Sequence, residues 1–268
     1  MNPSRSELEI DERSMRKFDY WESSSEENIS YLESNGLLFE LDYLDYKKKS
    51  SEEKLLLCKP IQMVEEYIRL FSQCPHGRIL EFGIFEGGSA IFYATLLKNI
   101  ERIVSVDQRS HSQVVENIIR KCELQDKVKL HYKTPQDSPI VRSIVMNELE
   151  GKPDIIIDDC SHLYGPTKGT FQMMFPLLAP GGLYIIEDWA WAHRPRHQVA
   201  TSVFNGEIAL TNLLFELIAL KGTQIGWFQE ITINKLAMLI IKKGYEVVDD
   251  PLDITAATAM RGKTIGYI

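Results

Sequence analysis

Two short runs, Ile155-Ile156-Ile157 and Leu183-Tyr184-Ile185-Ile186, contain no charged residue, and each ends on a pair of acids. A strand with one wet face alternates apolar and polar residues. An unbroken run this short instead suits a strand buried on both faces, as in the middle of a parallel sheet covered by helices. The surrounding pattern agrees. Strand-like segments 78–84, 102–107, 127–132, 154–159 and 183–188 alternate with helix-like segments 88–98, 112–122, 140–147 and 167–178, after a helix over 60–71. The spacing predicts a doubly wound α/β domain. A helix over 207–220 follows, then strands over 224–231 and 235–242 joined by Thr232-Ile233-Asn234, an antiparallel hairpin closing the sheet edge.

The chain has 268 residues, 44% of them hydrophobic, enough to bury one large core or a core plus an extension. Its net charge of −8 argues against a protein that coats nucleic acid. No apolar run approaches the roughly 18 residues that would span a bilayer. Met1 to Arg16 are polar and mixed in charge, unlike a signal or transit peptide. Cys58, Cys74, Cys122 and Cys160 show no CxxC spacing, so neither a zinc cluster nor a disulfide framework is expected, and a reducing cytoplasm is the expected location.

Residues 1–57 read as an N-terminal extension or cap, and 58–268 as the main domain. Within the cap, Ile29–Leu32 and 37–43 flank a turn signal at 33–36, which predicts a hairpin. The charged run 46–54 reads as solvated linker surface. The exposed extension and the aromatic-rich hairpin lead us to expect a homo-oligomer, dimer or tetramer.

The first strand runs into Glu81-Phe82-Gly83-Ile84-Phe85-Glu86-Gly87-Gly88-Ser89 and opens a helix. Glycines there permit a sharp turn and close backbone approach to a ligand. The spacing is neither the dinucleotide fingerprint nor a P-loop. Glu81 suits a cationic ligand group and would repel a pyrophosphate. Asp107 ends the second strand, where a carboxylate can accept both hydroxyls of a ribose or simply serve as a cap. Gln136-Asp137-Ser138 follow the third strand, placed to reach an adenine or to cap the next helix.

Asp158-Asp159-Cys160-Ser161-His162 and Glu187-Asp188 close the two apolar strands. Those strands should be neighbours, so their acids converge at the carboxyl edge of the sheet. Asp159, Glu187 and Asp188 would repel one another without a cation between them, and oxygen ligation points to Mg²⁺, Mn²⁺ or Ca²⁺. Side-chain alternation lets one of Asp158 and Asp159 face that ion, and position favours Asp159. His162 would accept a proton from a hydroxyl beside the cation. The long segment after Asp188, with Trp189, Trp191, His193 and Arg194, reads as an acceptor-binding lid or as an interface loop.

At these residues the chain resembles the class I S-adenosylmethionine-dependent methyltransferases. Among them it is similar to the magnesium-dependent sugar O-methyltransferases of macrolide biosynthesis. The resemblance rests on E-x-G-x-x-x-G-G-S at Glu81–Ser89, D-D-x-S-H at Asp158–His162 and G-G-L-Y-I-I-E-D at Gly181–Asp188. It implies a Rossmann-like methyltransferase sheet, mostly parallel, with an antiparallel C-terminal hairpin. It also implies an S-adenosylmethionine pocket drawn from Glu81, Gly83, Gly87, Ser89, Asp107, Gln108, Asp137, Ser138 and Asp158. Asp159, Glu187 and Asp188 would hold Mg²⁺ or Mn²⁺, and His162, with Asp159, would act in catalysis. The implied acceptor is a hydroxyl of a sugar-bearing or polyhydroxylated small molecule. Cys160 departs from the glycine usual there. A catechol-type phenol methyltransferase, a nicotinamide-dependent oxidoreductase and a non-catalytic binding protein are the alternatives.

Overall fold

Parallel strands must be joined by crossovers, and the computed structural model shows where this chain places them. It describes residues 23–24, 29–34, 36–42, 45, 47–74, 77–97, 99–258 and 267. The polar N-terminal stretch, Asn35 of the expected turn and the end of the segment 37–43 lie outside the described residues.

A small sheet has the order β1 (Ser23–Ser24), β2 (Ile29–Ser34), β3 (Leu37–Leu41), β4 (Lys54–Leu57). The expected hairpin is present, with Leu32 opposite Phe39. The described residues of the run 46–54 are largely exposed, as its charge implies, except that Ser50 is buried and Leu55-Leu56-Leu57 draw its end into a strand parallel to β3. Lys48 pairs with Glu40 and Asp42, and Lys54 with Glu40. Burial raises the Glu40 carboxyl, but the hydrogen bonds and charges of those two lysines outweigh it and leave it below its usual range.

The larger sheet has seven strands in the order β10-β11-β9-β8-β5-β6-β7. Its elements run α1 (Ile61–Phe71), β5 (Gly77–Phe82), α2 (Gly88–Leu96), β6 (Ile100–Val106), α3 (Gln113–Lys121), β7 (Val128–His131) and α4 (Ile140–Glu148). Then come β8 (Ile155–Asp158), α5 (Tyr164–Met174), β9 (Leu183–Ile186), α6 (Thr211–Thr223), β10 (Phe228–Ile233), β11 (Leu239–Lys243) and α7 (Ile254–Ala257). The doubly wound reading holds. Among the described residues no helix is long and apolar enough to cross a membrane.

The chain forms two compact units, one of residues 1–79 and 84–133, the other of 80–83 and 134–268. In the first, Tyr67, Phe71 and Tyr93 form an aromatic core with ring centroids 4.9–5.5 Å apart, and Phe39 meets Phe92 edge-on. Such edge-rich packing gains from ring quadrupoles as well as from burial. In the second, β8 and β9 pair in parallel with Ile157 opposite Ile185, and both are buried along their length. Phe171, Phe175, Tyr184 and Phe228 pack as rings 4.7–5.1 Å apart. Buried Lys243 donates to the carbonyls of Phe175, Pro176 and Leu178 at the end of the helical segment. Burial first, and Lys152 second, pull its ammonium down to about 8.

Several expected boundaries move: α5 begins at Tyr164 rather than Thr167, and β10 at Phe228 rather than Gln224. Helix α6 begins at Thr211 rather than Glu207, because residues 204–210 are taken up in turns, among them Glu207 N–H to the Phe204 carbonyl. The C-terminal hairpin turns later than expected, so β10 runs on through Ile233. The Asn234 side chain accepts from the N–H groups of Leu236 and Met238, and Ala237 takes φ +58°. Asparagine replaces a backbone partner in the turn.

Candidate functional site

In the second unit, the end of β8 sorts its two acids by alternation. Asp158 faces inward, 1% exposed, and accepts from Gln136 Nε2 at 3.1 and 3.2 Å and from the Tyr184 hydroxyl at 3.5 Å. Burial pushes its carboxyl up to about 7, with the Asp159 charge adding and the hydrogen bonds of Gln136 and Tyr184 opposing. That carboxylate is committed to the protein, whatever else it meets. The Asp159 N–H donates to the Phe82 carbonyl at 2.9 Å. A Cβ on Gly83, at φ +105°, would lie 2.0 Å from the Asp159 carbonyl oxygen. Gly83 is therefore required by backbone approaching backbone.

Asp159, His162 and Asp188 each place a ligand atom within 4.8 Å of the other two. His162 Nε2 is 3.8 Å from Asp159 Oδ1. His162 and Asp188 both have left-handed backbones, at φ +56° and +53°. Two such non-glycine residues in one cluster are strain held in place by the surrounding structure. Burial raises the Asp188 carboxyl and the Asp159 charge raises it further, while His162, Arg194 and Trp191 pull it down. Arg194 Nη2 lies 3.1 Å from Asp188 Oδ1. The two carboxylates are oxygen donors suited to a divalent cation, which would relieve the repulsion Asp188 feels from Asp159, and the His162 imidazole stands beside them. The structure does not bring Glu187 into this group. Its side chain follows the last residue of β9 into the interior, 2% exposed.

The segment after Asp188 folds onto the same cluster. The Trp191 ring lies 4.4 Å from that of His162 and is stacked at 5.6 Å by His197, with the Arg194 guanidinium 5.6 Å from its centre. Phe204 closes edge-on against His197 at 5.0 Å. Trp191 is thus a spacer inside the loop rather than an open stacking surface. Trp189 is half-buried, and its Nε1 is enclosed with no hydrogen-bond partner. His193 is exposed and bonds Thr211 Oγ1.

The other expected residues divide between the units. In the first, Asp107 Oδ2 accepts from the N–H groups of Ile84 at 2.8 Å and Phe85 at 3.1 Å, and Oδ1 accepts from Arg109 N–H at 2.9 Å. Ser89 is half-buried in the first turn of α2, and Gln108 is exposed. A Cβ on Gly87 would meet Val115 Cγ1 at 2.6 Å. In the second unit, Glu81 is buried, Asp137 exposed and Ser138 half-buried. Neither of the last two caps α4, whose N-cap is Pro139 with no side-chain bond. Gln136, 2% exposed, is the residue whose part the sequence did not reveal. Its Nε2 donates to Asp158 and Thr170, and its Oε1 accepts the Ser161 N–H at 3.0 Å, tying down the loop that carries Asp159 and His162. A buried glutamine in a loop leaves no periodic signal. His197 was equally hidden, because only the fold stacks it on Trp191.

Residues 80–189 match the family model described as a methyltransferase domain, Methyltransf_24. Over 50 residues the chain is 44% identical to 8-demethyl-8-alpha-L-rhamnosyl tetracenomycin-C 2'-O-methyltransferase of Streptomyces olivaceus, covering 19% of this chain and 13% of that one. Over 45 residues it is 47% identical to mycinamicin VI 2''-O-methyltransferase of Micromonospora griseorubida, covering 17% and 11%. The match thus spans about an eighth of these relatives' length. The fold is similar to that of the MycE methyltransferase of the mycinamycin pathway, solved in complex with Mg and SAH. For crystal form 1 the TM-score is 0.50 at 22% identity, covering 69% of this chain and 49% of that one.

Proposed function

We propose that this chain, whose residues 80–189 match a methyltransferase domain model, is an S-adenosylmethionine- and divalent-metal-dependent O-methyltransferase of a sugar-bearing or polyhydroxylated small molecule. The observation that carries the proposal is the convergence of Asp159, His162 and Asp188 within 4.8 Å. Asp159 and Asp188 would hold Mg²⁺ or Mn²⁺, while Glu187, the third carboxylate expected from the sequence, stands outside the group. The ion, when bound, supplies positive charge that orients an acceptor hydroxyl and makes its proton easier to remove.

The chain's own residues do the rest. His162 Nε2 takes the hydroxyl proton, and Asp159, 3.8 Å away, stabilises the resulting imidazolium. The acceptor oxygen forms a bond to the methyl carbon of the sulfonium donor. The carbon–sulfur bond breaks, and its electron pair stays on sulfur. Trp191 fixes one side of the His162 ring. Asp107 and the glycine loop of the first unit are the residues proposed to serve the donor. Trp189, His193 and Arg194 are proposed for the acceptor, and we propose a dimer or tetramer in the cytoplasm. These roles draw support from the donor set, from the family match and from relatives named as sugar O-methyltransferases.

The test is incubation with S-adenosylmethionine and panels of glycosylated and catechol acceptors, read by a mass gain of one methyl group. Turnover should vanish with EDTA and return with Mg²⁺. Undiminished activity in EDTA would remove the role given to the acids, and methylation confined to catechols would reassign the acceptor.

A further inference from the structure

The loop from Ile84 to Gly88 is held by residues to which the proposed reaction gives no part. Glu86, at its centre, is buried although charged. Its Oε2 accepts the Ser50 N–H at 3.1 Å, and its Oε1 accepts Lys49 Nζ at 2.7 Å. The Ser50 hydroxyl donates to the Glu86 carbonyl at 2.9 Å and accepts the Leu56 N–H at 3.0 Å. One buried serine thus ties the loop to β4 at Leu56. Farther along, a Cβ on Gly88 would fall 2.1 Å from the Leu56 carbonyl oxygen, so the start of α2 lies directly on that strand. On the loop's other flank, Asp107 holds the N–H groups of Ile84 and Phe85. Each of these contacts is internal to the first unit.

We infer that Ser50, acting through Glu86, is a positioning residue for the donor-binding loop, which gives the segment 49–57 a part in the affinity for S-adenosylmethionine. The inference rests on the function proposed above. Its physical basis is preorganisation: a loop already held in its bound form loses less conformational freedom when a ligand arrives. Ser50 and the carboxylate cluster lie in different units, so the inference predicts that donor and metal affinities separate.

The experiment compares the full chain with Ser50→Ala, Ser50→Thr and Glu86→Ala, measuring S-adenosylmethionine by calorimetry, Mn²⁺ by titration, and Tm. Ser50→Ala should weaken the donor about fivefold to tenfold, as expected for losing two buried hydrogen bonds. Mn²⁺ affinity should stay within about twofold, and Ser50→Thr should restore the donor because it keeps the hydroxyl. Ser50→Ala and Glu86→Ala cut different hydrogen bonds between the same two residues, so the double variant should weaken the donor at least as much as Ser50→Ala alone. A lower Tm with unchanged donor affinity would overturn the inference, making Ser50 a stability residue only. Equal loss of donor and Mn²⁺ would overturn it as well, by showing general loosening. If the unmutated chain fails to bind S-adenosylmethionine, the function proposal fails and this inference falls with it.

Discussion

The loops that follow β5 and β8 begin alike, each at the end of a buried strand, yet they are held by different forces. The loop after β5 is neutralised from within: Asp107 takes the N–H groups of Ile84 and Phe85, and Glu86 is matched by Ser50 and Lys49. The loop after β8 is braced by Gln136 at Ser161 but sets Asp159 and His162 against Asp188, which follows β9. The first arrangement is complete as it stands. The second retains a repulsion that a cation would relieve. This is the difference between a loop built to be stiff and one built to receive charge.

The largest effect should come from removing the proton acceptor at the unfinished tip. His162→Ala should lower kcat by about 10²–10⁴ and leave S-adenosylmethionine affinity within about twofold, which steady-state kinetics and calorimetry would separate. A parallel fall in donor affinity would show that the two loops are not independent.

Next in size is metal affinity. Asp188→Asn should weaken Mn²⁺ binding by about tenfold to a hundredfold. Glu187→Gln decides the outlying acid: a loss as large as that of Asp188→Asn would place its carboxylate on the ion, and an unchanged affinity would leave it as a buried residue at the end of β9.

Gln136→Leu tests the brace. It strips the Ser161 N–H and the Asp158 carboxylate of a partner, so kcat should fall about tenfold, with Mn²⁺ affinity falling alongside. Donor binding through the first unit should change less, and the reverse order would invert the comparison.

The smallest effect is a pH slope. The Asp158 carboxyl is raised by burial from its ordinary 3.8 to about 7, so the folded chain keeps a proton that the unfolded chain has lost. Stability from this group is complete below about pH 4, declines as pH rises and is gone above about pH 7. In EDTA, the Tm of the unmutated chain relative to Asp158→Asn should fall across that window and then level off. Mg²⁺ should flatten the slope by favouring the ionised acids beside it.

Much of the β8 loop was legible in advance. Asp159, His162 and Asp188 were readable because acids closing two unbroken apolar strands have one common edge to occupy, and the strand period separated Asp158 from Asp159. Glu187 was harder: β9 ends at Ile186, and the left-handed turn at Asp188 sets the directions of its neighbours in a way no period predicts. Trp191 was read as part of an acceptor-binding lid or interface loop, and the sequence does not say that His162 and His197 will pack on its ring. Ser50 lay hidden in a charged run whose composition reads as solvent-facing.

By itself, the sequence determined the strand–helix alternation, the identity of the buried strands and the acids that end them. These are local quantities, set by which side chains leave water and by a repeat of two or 3.6 residues. The tertiary structure decided which acid turns inward, which loop is braced by a distant serine or glutamine, and why Gly83 and Gly88 cannot carry a side chain. Each of those depends on backbone brought close from far along the chain, by packing whose partners no local pattern names.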